Sequence, residues 1–343
     1  MKEEAMTSRE RVIKTLRHEP VDRLPRDLWT VPYIWMFRKD ELDKFLSLYP
    51  ADMTGSTRLR YGNSGRARGE GCRKGRWVDE FGSEWEALED GVAGEVKNPL
   101  IKTQADLDRY EMPWEILDGF RDEGQLEAYK ETDLYVKAGA QARPFERLQF
   151  LLGTEELFIA IATEDPIFLR LKDMLHEFYV RDMKLLAAQA VDGVQFMDDW
   201  GSQISLLISP AAWRKHFKPM YREYCDILRA AGKQVFFHSD GHIEAIYPDL
   251  IEIGVDAINS QLFCMDMEEL GRRYAGKVAF YGELDRQRIL PFGAEEEVRE
   301  SVRRLGRALF KDGRRTGVIA ELSWETVTPL GNVLAAYDEF DKL

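Results

Sequence analysis

At 343 residues, with 44% hydrophobic and 11% aromatic side chains, the chain has the apolar mass for a large packed core. That length suits two average domains or one α/β barrel with insertions. The 61 acidic against 48 basic residues leave a formal charge of −13, spread along the chain. This excludes the basic face of a nucleic-acid binder and a membrane-attracting patch, and says little about substrate.

The stretch from Met1 to Thr7 is charged and has no apolar h-region, so no signal peptide is expected. No apolar run reaches the roughly 18 residues of a membrane-spanning helix. Cys72, Cys225 and Cys264 lie far apart without CxxC spacing, which predicts a reducing, cytoplasmic setting with no disulfide framework. No linker, low-complexity tract or fixed repeat divides the sequence, so residues 1–343 read as a single domain.

In Thr7-Ser8-Arg9-Glu10 a hydroxyl precedes the amphipathic Val12, Ile13 and Leu16, predicting a capped helix that Pro20 ends. Leu24–Trp29 reads as a first strand. Residues 35–130 hold Trp- and Gly-rich pieces around Trp77 and Trp85 and predict an elaborated first part of a barrel, with one strand inside it. From about residue 131 apolar runs alternate with helical stretches. The runs are Leu134–Gln141, Gly193–Trp200, Lys233–Gly241, Asp256–Leu262, Lys277–Asp285 and Gly317–Trp324. Pro166–Ala190, Pro210–Ala231 and Glu295–Phe310 have helical periodicity. This alternation implies βαβ units and a parallel sheet, and no GxGxxG follows an early strand. The expectation is a TIM-type (β/α)8 barrel with N-terminal elaborations.

In such barrels the chemistry sits at the C-terminal strand ends. Here those ends read Asp198-Asp199-Trp200-Gly201-Ser202-Gln203, His238-Ser239-Asp240-Gly241-His242, Asn259-Ser260-Gln261, Glu283-Leu284-Asp285 and Glu321. Strand parity points His238 and Asp240 at one site, and likewise Glu283 and Asp285. A His-x-Asp pair can hold a divalent metal or work as an acid/base pair. The plainer alternative has His238 hydrogen-bonded within the barrel and Asp240 capping the turn at Gly241. One of Asp198 and Asp199 should face the pocket and the other the outer layer. Beside Trp200 a carboxylate is partly desolvated, which raises its pKa toward general-acid use. The plainer alternative is that one of the pair caps the following helix. Glu283, Asp285 and Glu321 read either as pocket lining or as loop caps. Arg143, near Glu146 and Arg147, can clamp an anionic group or join an internal ion pair. His18, His176 and His216 fall on helical stretches and read as structural.

These stretches resemble the uroporphyrinogen decarboxylase superfamily. The resemblance rests on Arg9–Leu28, Asp79–Trp85, Asp192–Gln203, Ile208-Ser209-Pro210 through Trp213 to Pro219, and His238–Gly241. Gly254-Val255-Asp256, Gly282–Asp285 and Gly317–Phe340 extend it over nearly the whole chain. It implies a TIM barrel, frequently dimeric, with two branches. One decarboxylates uroporphyrinogen without a cofactor. The other transfers methyl groups with corrinoid proteins, often through a zinc site of a His-x-Cys motif and a late Cys.

True decarboxylases carry an Arg-Gln-Ala-Gly-Arg-Tyr-like segment after the first strand, whereas this chain has Arg26-Asp27-Leu28-Trp29-Thr30-Val31-Pro32-Tyr33. An octacarboxylate would leave several charges unpaired here, at roughly several kcal/mol each. The methyltransferase branch fits His238-Ser239-Asp240 better. Asp240 stands at the first cysteine, and Glu321-Leu322-Ser323-Trp324-Glu325 replaces the late one. Thiolate ligation is thereby excluded at both positions, which leaves His238, Asp240 and Glu321 as a nitrogen and oxygen set for zinc.

The resemblance therefore implies methyl transfer between a small methylated substrate and a corrinoid supplied by a separate protein, from an expected homodimer. His238, Asp240, Asp198, Asp199 and Glu283 are the expected catalytic groups. Arg143, Trp200, Gln203, Asn259, Gln261 and Tyr281 are expected to bind substrate. A cofactor-free decarboxylase or lyase acting on a smaller acid is the alternative, with Asp198 or Asp199 stabilising a cationic intermediate. A silent barrel that binds a small molecule is the third reading.

Overall fold

The computed structural model describes residues 6–343; residues 1–5 of the charged opening stretch lie outside the described residues. Eight short parallel strands close around one axis. They are β1 (Trp29–Thr30), β2 (Met53–Thr54), β3 (Tyr135–Gly139), β4 (Gly193–Met197), β5 (Gln234–Ser239), β6 (Ala257–Ser260), β7 (Ala279–Tyr281) and β8 (Val318–Ile319). Strands β2 to β8 pair in sequential order. Closure comes through β1. The Asp52 amide donates to the Arg26 carbonyl at 2.8 Å, Arg26 bridges Ala320, and Trp29–Thr30 pairs in parallel with Ser323–Trp324. The expected TIM-type barrel is the observed fold.

Parity along the strands sorts the side chains into two cores. Met53, Tyr135, Phe236, Ala257, Ala279, Tyr281 and Ile319 point inward and pack together with Val12 and Leu16. Val136, Val194, Phe196, Val235, Phe237, Ile258, Phe280 and Val318 point outward against the helices. Burial on both faces explains why these strands read as continuous apolar runs rather than alternating ones. The same parity brings Lys137, Gln195, Met197, His238, Asn259 and Glu321 to the inner wall toward the C-terminal end.

Three expected helices form, as Pro166–Ala187, Pro210–Ala230 and Glu295–Leu309, each trimmed by one to three residues at its C-terminal end. The middle one is interrupted at Phe217 between Pro210–His216 and Lys218–Ala230. Pro219 has no N–H to donate to the preceding turn, so the helix restarts there. Between β2 and β3 the chain makes its elaboration, an antiparallel sheet of Gly75–Val78, Glu84–Ala87 and Glu95–Asn98. Trp77 and Trp85 face each other across its first pair, with ring centroids 5.2 Å apart. Asp79 anchors this sheet to the barrel by an ion pair with buried Arg147, whose guanidinium lies 3.8 Å over the Phe81 ring. Among the described residues no helix is long and apolar enough to cross a membrane.

The base of the barrel is closed by the helix Ser8–Leu16 (α1), which starts with the expected capping box between Thr7 and Glu10. Its position depends on Asp52, a carboxylate with no exposed surface. Ser8 Oγ donates to it at 2.7 Å, Arg11 Nη1 at 2.6 Å, Arg23 Nη1 at 2.6 Å and the Arg26 amide at 2.8 Å. Burial alone would raise this carboxyl's pKa, but the donors outweigh burial and hold it below its ordinary 3.8. Asp52→Asn leaves two arginines facing an uncharged partner and should cost about 3–5 kcal/mol in chemical denaturation. The wild-type contribution should be present above the ordinary carboxylate value and fade as pH falls below it. A variant as stable as wild type at neutral pH would remove Asp52 from this role.

Candidate active site

Strand register sets the central layer of the barrel mouth. His238 on β5 stands beside Met197 on β4 and Asn259 on β6, and Asn259 beside Tyr281 on β7. Asn259 Nδ2 donates to the Tyr281 carbonyl at 2.6 Å and to Glu321 Oε2 at 3.1 Å. A backbone carbonyl only accepts, so the amide's NH2 group must face that way and its Oδ1 must face His238. Asn259 Oδ1 lies in hydrogen-bond contact with His238 Nδ1. The proton therefore sits on Nδ1, and Nε2 presents a lone pair to the mouth. The Trp29 ring, 4.7 Å from the imidazole by centroid, holds its face.

His238 Nε2 is 3.6 Å from Asp199 Oδ1 and 3.6 Å from Asp240 Oδ1. One ligand atom from each of Asp199, His238 and Asp240 lies within 4.8 Å of the others. Asp240 Oδ1 is buried with no hydrogen-bond partner, while its Oδ2 accepts from Arg286. The Asp240 amide donates to Asp199 Oδ1 at 2.9 Å, linking the two loops. Gly201 and Gly241 let these loops cross: a Cβ on Gly241 would lie 2.2 Å from the Gly201 carbonyl oxygen. Zinc ligands about 2.0–2.1 Å from a shared ion stand roughly 3.3 Å apart in a tetrahedron. The two separations from His238 Nε2 come within a few tenths of an ångström of that spacing, the third donor pair lies within 4.8 Å, and an imidazole with two carboxylates is a set zinc accepts. The residues fit the metal.

Two further carboxyls close the far side. Neither Glu283 nor Glu321 has exposed surface; both oxygens of Glu283 and Oε1 of Glu321 have no hydrogen-bond partner. Burial raises Glu283 to about 8, against the pull of Arg286 and with the push of Asp240. Burial, then the charge of Glu283, raises Glu321 well above the usual range. A Cβ on Gly282 would strike Glu321 Oε2 at 1.9 Å, so glycine alone allows this approach. On the near side a cleft of about 370 Å³ is lined by Asp27, Trp29, Gly55, Lys137, Gln195 and Met197, among others. Tyr281 OH donates to Asp27 and accepts from Lys137 Nζ at 2.6 Å; burial lowers the lysine's pKa.

His238 and Asp240 share one site, as parity predicts. Several other expectations need correction. Glu321 is separated from the metal-type cluster by Asn259, and Asp199 takes the third place. Asp198 faces the outer layer. Its carboxylate accepts from the Phe145 and Glu146 amides at 2.7 and 2.8 Å and from Tyr221 OH, capping the helix Pro144–Leu152 instead of entering the pocket. Trp200 is fully buried between Phe145 and Phe217, 4.1 and 4.6 Å away by centroid, so it belongs to the core and cannot touch substrate. Asp285 leaves Glu283 and accepts from the Gln287 and Arg288 amides, because β7 ends at Tyr281 and parity lapses beyond it. Asn259 and Tyr281 are buried and work by holding His238, Lys137 and Asp27 rather than by meeting solvent. Gln203 and Gln261 meet at the rim, where both accept from the Cys264 thiol at 3.3 and 3.4 Å.

Sequence reasoning missed Asp27, Trp29, Lys137, Gln195 and Arg286. Lys137 was findable, since a charged residue two places after Tyr135 in an apolar strand has inward parity. Arg286 carried no signal, because it lies in a loop.

The family profile "Uroporphyrinogen decarboxylase (URO-D)" matches residues 78–342. The chain belongs to the uroporphyrinogen decarboxylase family. Among solved structures, a methyltransferase from Methanosarcina mazei superposes with a TM-score of 0.70 at 15% identity, covering 98% of this chain and 99% of that one. An endo-β-1,4-xylanase of glycoside hydrolase family 10 from Gloeophyllum trabeum reaches a TM-score of 0.44 at 9% identity, over 95% and 99% of the two chains. A search of curated proteins found no sequence match.

Glu283 makes the site's pH behaviour measurable. A buried acid whose folded value is about 8 binds its proton more tightly folded than unfolded, so it penalises folding as pH rises from its ordinary 4.5 toward 8. Glu283→Gln should lose less stability than wild type between about pH 5 and pH 8.5, with the two proteins alike at the acid end. Parallel denaturation curves at both pH values would show that Glu283 ionises normally.

Proposed function

We propose that this chain transfers a methyl group between a small methylated compound and a corrinoid carried on a separate protein. The observation that carries this reading is the Asp199, His238 and Asp240 cluster, with the imidazole lone pair and an unpartnered carboxylate oxygen facing one point at the barrel mouth. Family membership and the fold shared with a protein named as a methyltransferase support it. The decarboxylase reading has less support. Arg26, the only arginine in residues 26–33, is bound to Asp341 on the outside of the barrel.

A zinc ion held by Asp199, His238 and Asp240 would polarise the heteroatom that bears the methyl group. The chain's own residues supply the remainder. Asn259 keeps the His238 lone pair outward, and Arg286 holds Asp240 in place. Glu283 and Glu321, protonated at neutral pH, hold a proton beside the departing heteroatom, which needs one once the methyl has left. Trp29 walls the cleft and limits water around the reacting atoms.

Elemental analysis of purified protein should find about one zinc per chain, and His238→Ala should remove it. Wild type without stoichiometric metal overturns the metal half of this reading. Asn259→Ala, which frees the imidazole to rotate or change tautomer, should weaken zinc binding by roughly 10- to 100-fold in a chelator competition. Reduced free cobalamin, mixed with methylated ethers, thioethers and amines, should convert to methylcobalamin by absorbance. No conversion with any donor class by zinc-loaded protein rejects methyl transfer.

A further inference from the structure

The cations around the mouth are not equally engaged. Arg286 bonds Asp240 and lies 3.7 and 3.5 Å from Glu283 and Glu325, so its charge is spent. Lys137 is spent on Asp27 and Tyr281. Arg143 differs. Its Nη2 donates only to the Met197 thioether at 2.6 Å, and its nearest carboxylate, Glu146, stands 3.8 Å from Nη1. A thioether is a weak acceptor, and 3.8 Å exceeds hydrogen-bond reach. A partly exposed guanidinium whose remaining N–H groups have no partner among the described residues therefore stands beside Met197, which lines the cleft.

Gln195 lines the same cleft two residues before Met197 on β4, with the same inward parity. Its side-chain amide has no hydrogen-bond partner among the described residues although the residue is only 8% exposed. These two donors stand on the β3 and β4 wall of the cleft, with Glu146, Asp199 and Asp240 close enough to act on one another's charge. A zinc ion in the cluster would add two positive charges beside the Asp199 and Asp240 carboxylates and so offset their repulsion of an anion.

We infer that Arg143, with Gln195, forms an anion-recognition subsite, and that the substrate is a small methylated compound bearing one carboxylate. The carboxylate takes the planar fork of Arg143, and the amide of Gln195 donates to its second lone pairs. The methylated end then reaches across the cleft toward His238. A volume of about 370 Å³ limits the ligand to a small molecule. This inference rests on the methyl-transfer reading for the word methylated only; recognition of the anion stands on the cleft itself.

The test is equilibrium binding by ligand-observed NMR, with neither corrinoid nor turnover, using methoxyacetate and its neutral counterpart 2-methoxyethanol. Wild type should bind methoxyacetate at least about tenfold more tightly, as expected for a charge-assisted pair. Arg143→Met should bring the two probes to near-equal affinity. Arg143→Lys, which keeps the charge without the fork, should retain part of the preference and guards against a folding defect in the first variant. Circular dichroism should be unchanged in both. Equal binding of the two probes by wild type, no saturable binding of methoxyacetate, or a preference that survives Arg143→Met overturns the subsite. A carboxylate preference in a protein that never methylates cobalamin would sink the methyl-transfer reading and leave the subsite standing. Turnover of methylated donors with no such preference would do the reverse.

Discussion

The chemistry of this barrel depends on one hydrogen-bonded chain, from the Tyr281 carbonyl through the Asn259 amide to His238 Nδ1. The carbonyl has no proton to give, so it orients the amide, and the amide orients the imidazole. Without that constraint His238 could carry its proton on either nitrogen, and in one of the two tautomers the cluster with Asp199 and Asp240 would lose its nitrogen ligand. Register makes the constraint available. Tyr281, Asn259 and His238 occupy neighbouring strands at matched positions, so parallel pairing alone brings them into line.

Around this chain the site is built from charges that burial makes expensive. Burial pushes Glu283 and Glu321 toward their protonated forms, and Arg286 and Lys137 engage carboxylates. Asp198, next in sequence to a cluster member, turns outward to two backbone amides and Tyr221 OH, which offset only part of the upward push of burial and Glu146 on its pKa. These solutions leave different resources behind. Neutral acids hold protons, bound cations hold geometry, and Arg143, least engaged of the three cations, keeps donors for a ligand. At the barrel's other end Asp52 is fully committed, gathering α1, the first strand and the second strand with no chemistry left over. Stability and reactivity are thus separated along the barrel axis.

Much of this was legible beforehand because parallel barrels write their strands as apolar runs. Those from Leu134 onward all contained the observed strands, and their polar ends named His238, Asp240, Glu283 and Glu321 as inward groups. The two-residue strands β1 and β2 are too short to show periodicity, so β2 was expected only somewhere in residues 35–130. Parity served within a strand and failed just past it, which is why Asp285 was grouped with Glu283. Adjacent Asp198 and Asp199 were correctly split between inner and outer faces, but the sequence could not say which was which. Trp200 was misjudged because an aromatic beside a polar turn looks the same whether it meets ligand or core.

The sequence by itself determined the barrel class and the layer in which reactive groups lie, since both follow from hydrophobic period along one chain, and its motifs resembled one family. Only the tertiary structure decided which donors meet. The replacement of Glu321 by Asp199 in the cluster, the free fork of Arg143 and the commitment of Lys137 to Asp27 depend on side chains from strands far apart in sequence. Their distances are set by barrel closure and loop crossing, and no local pattern encodes those.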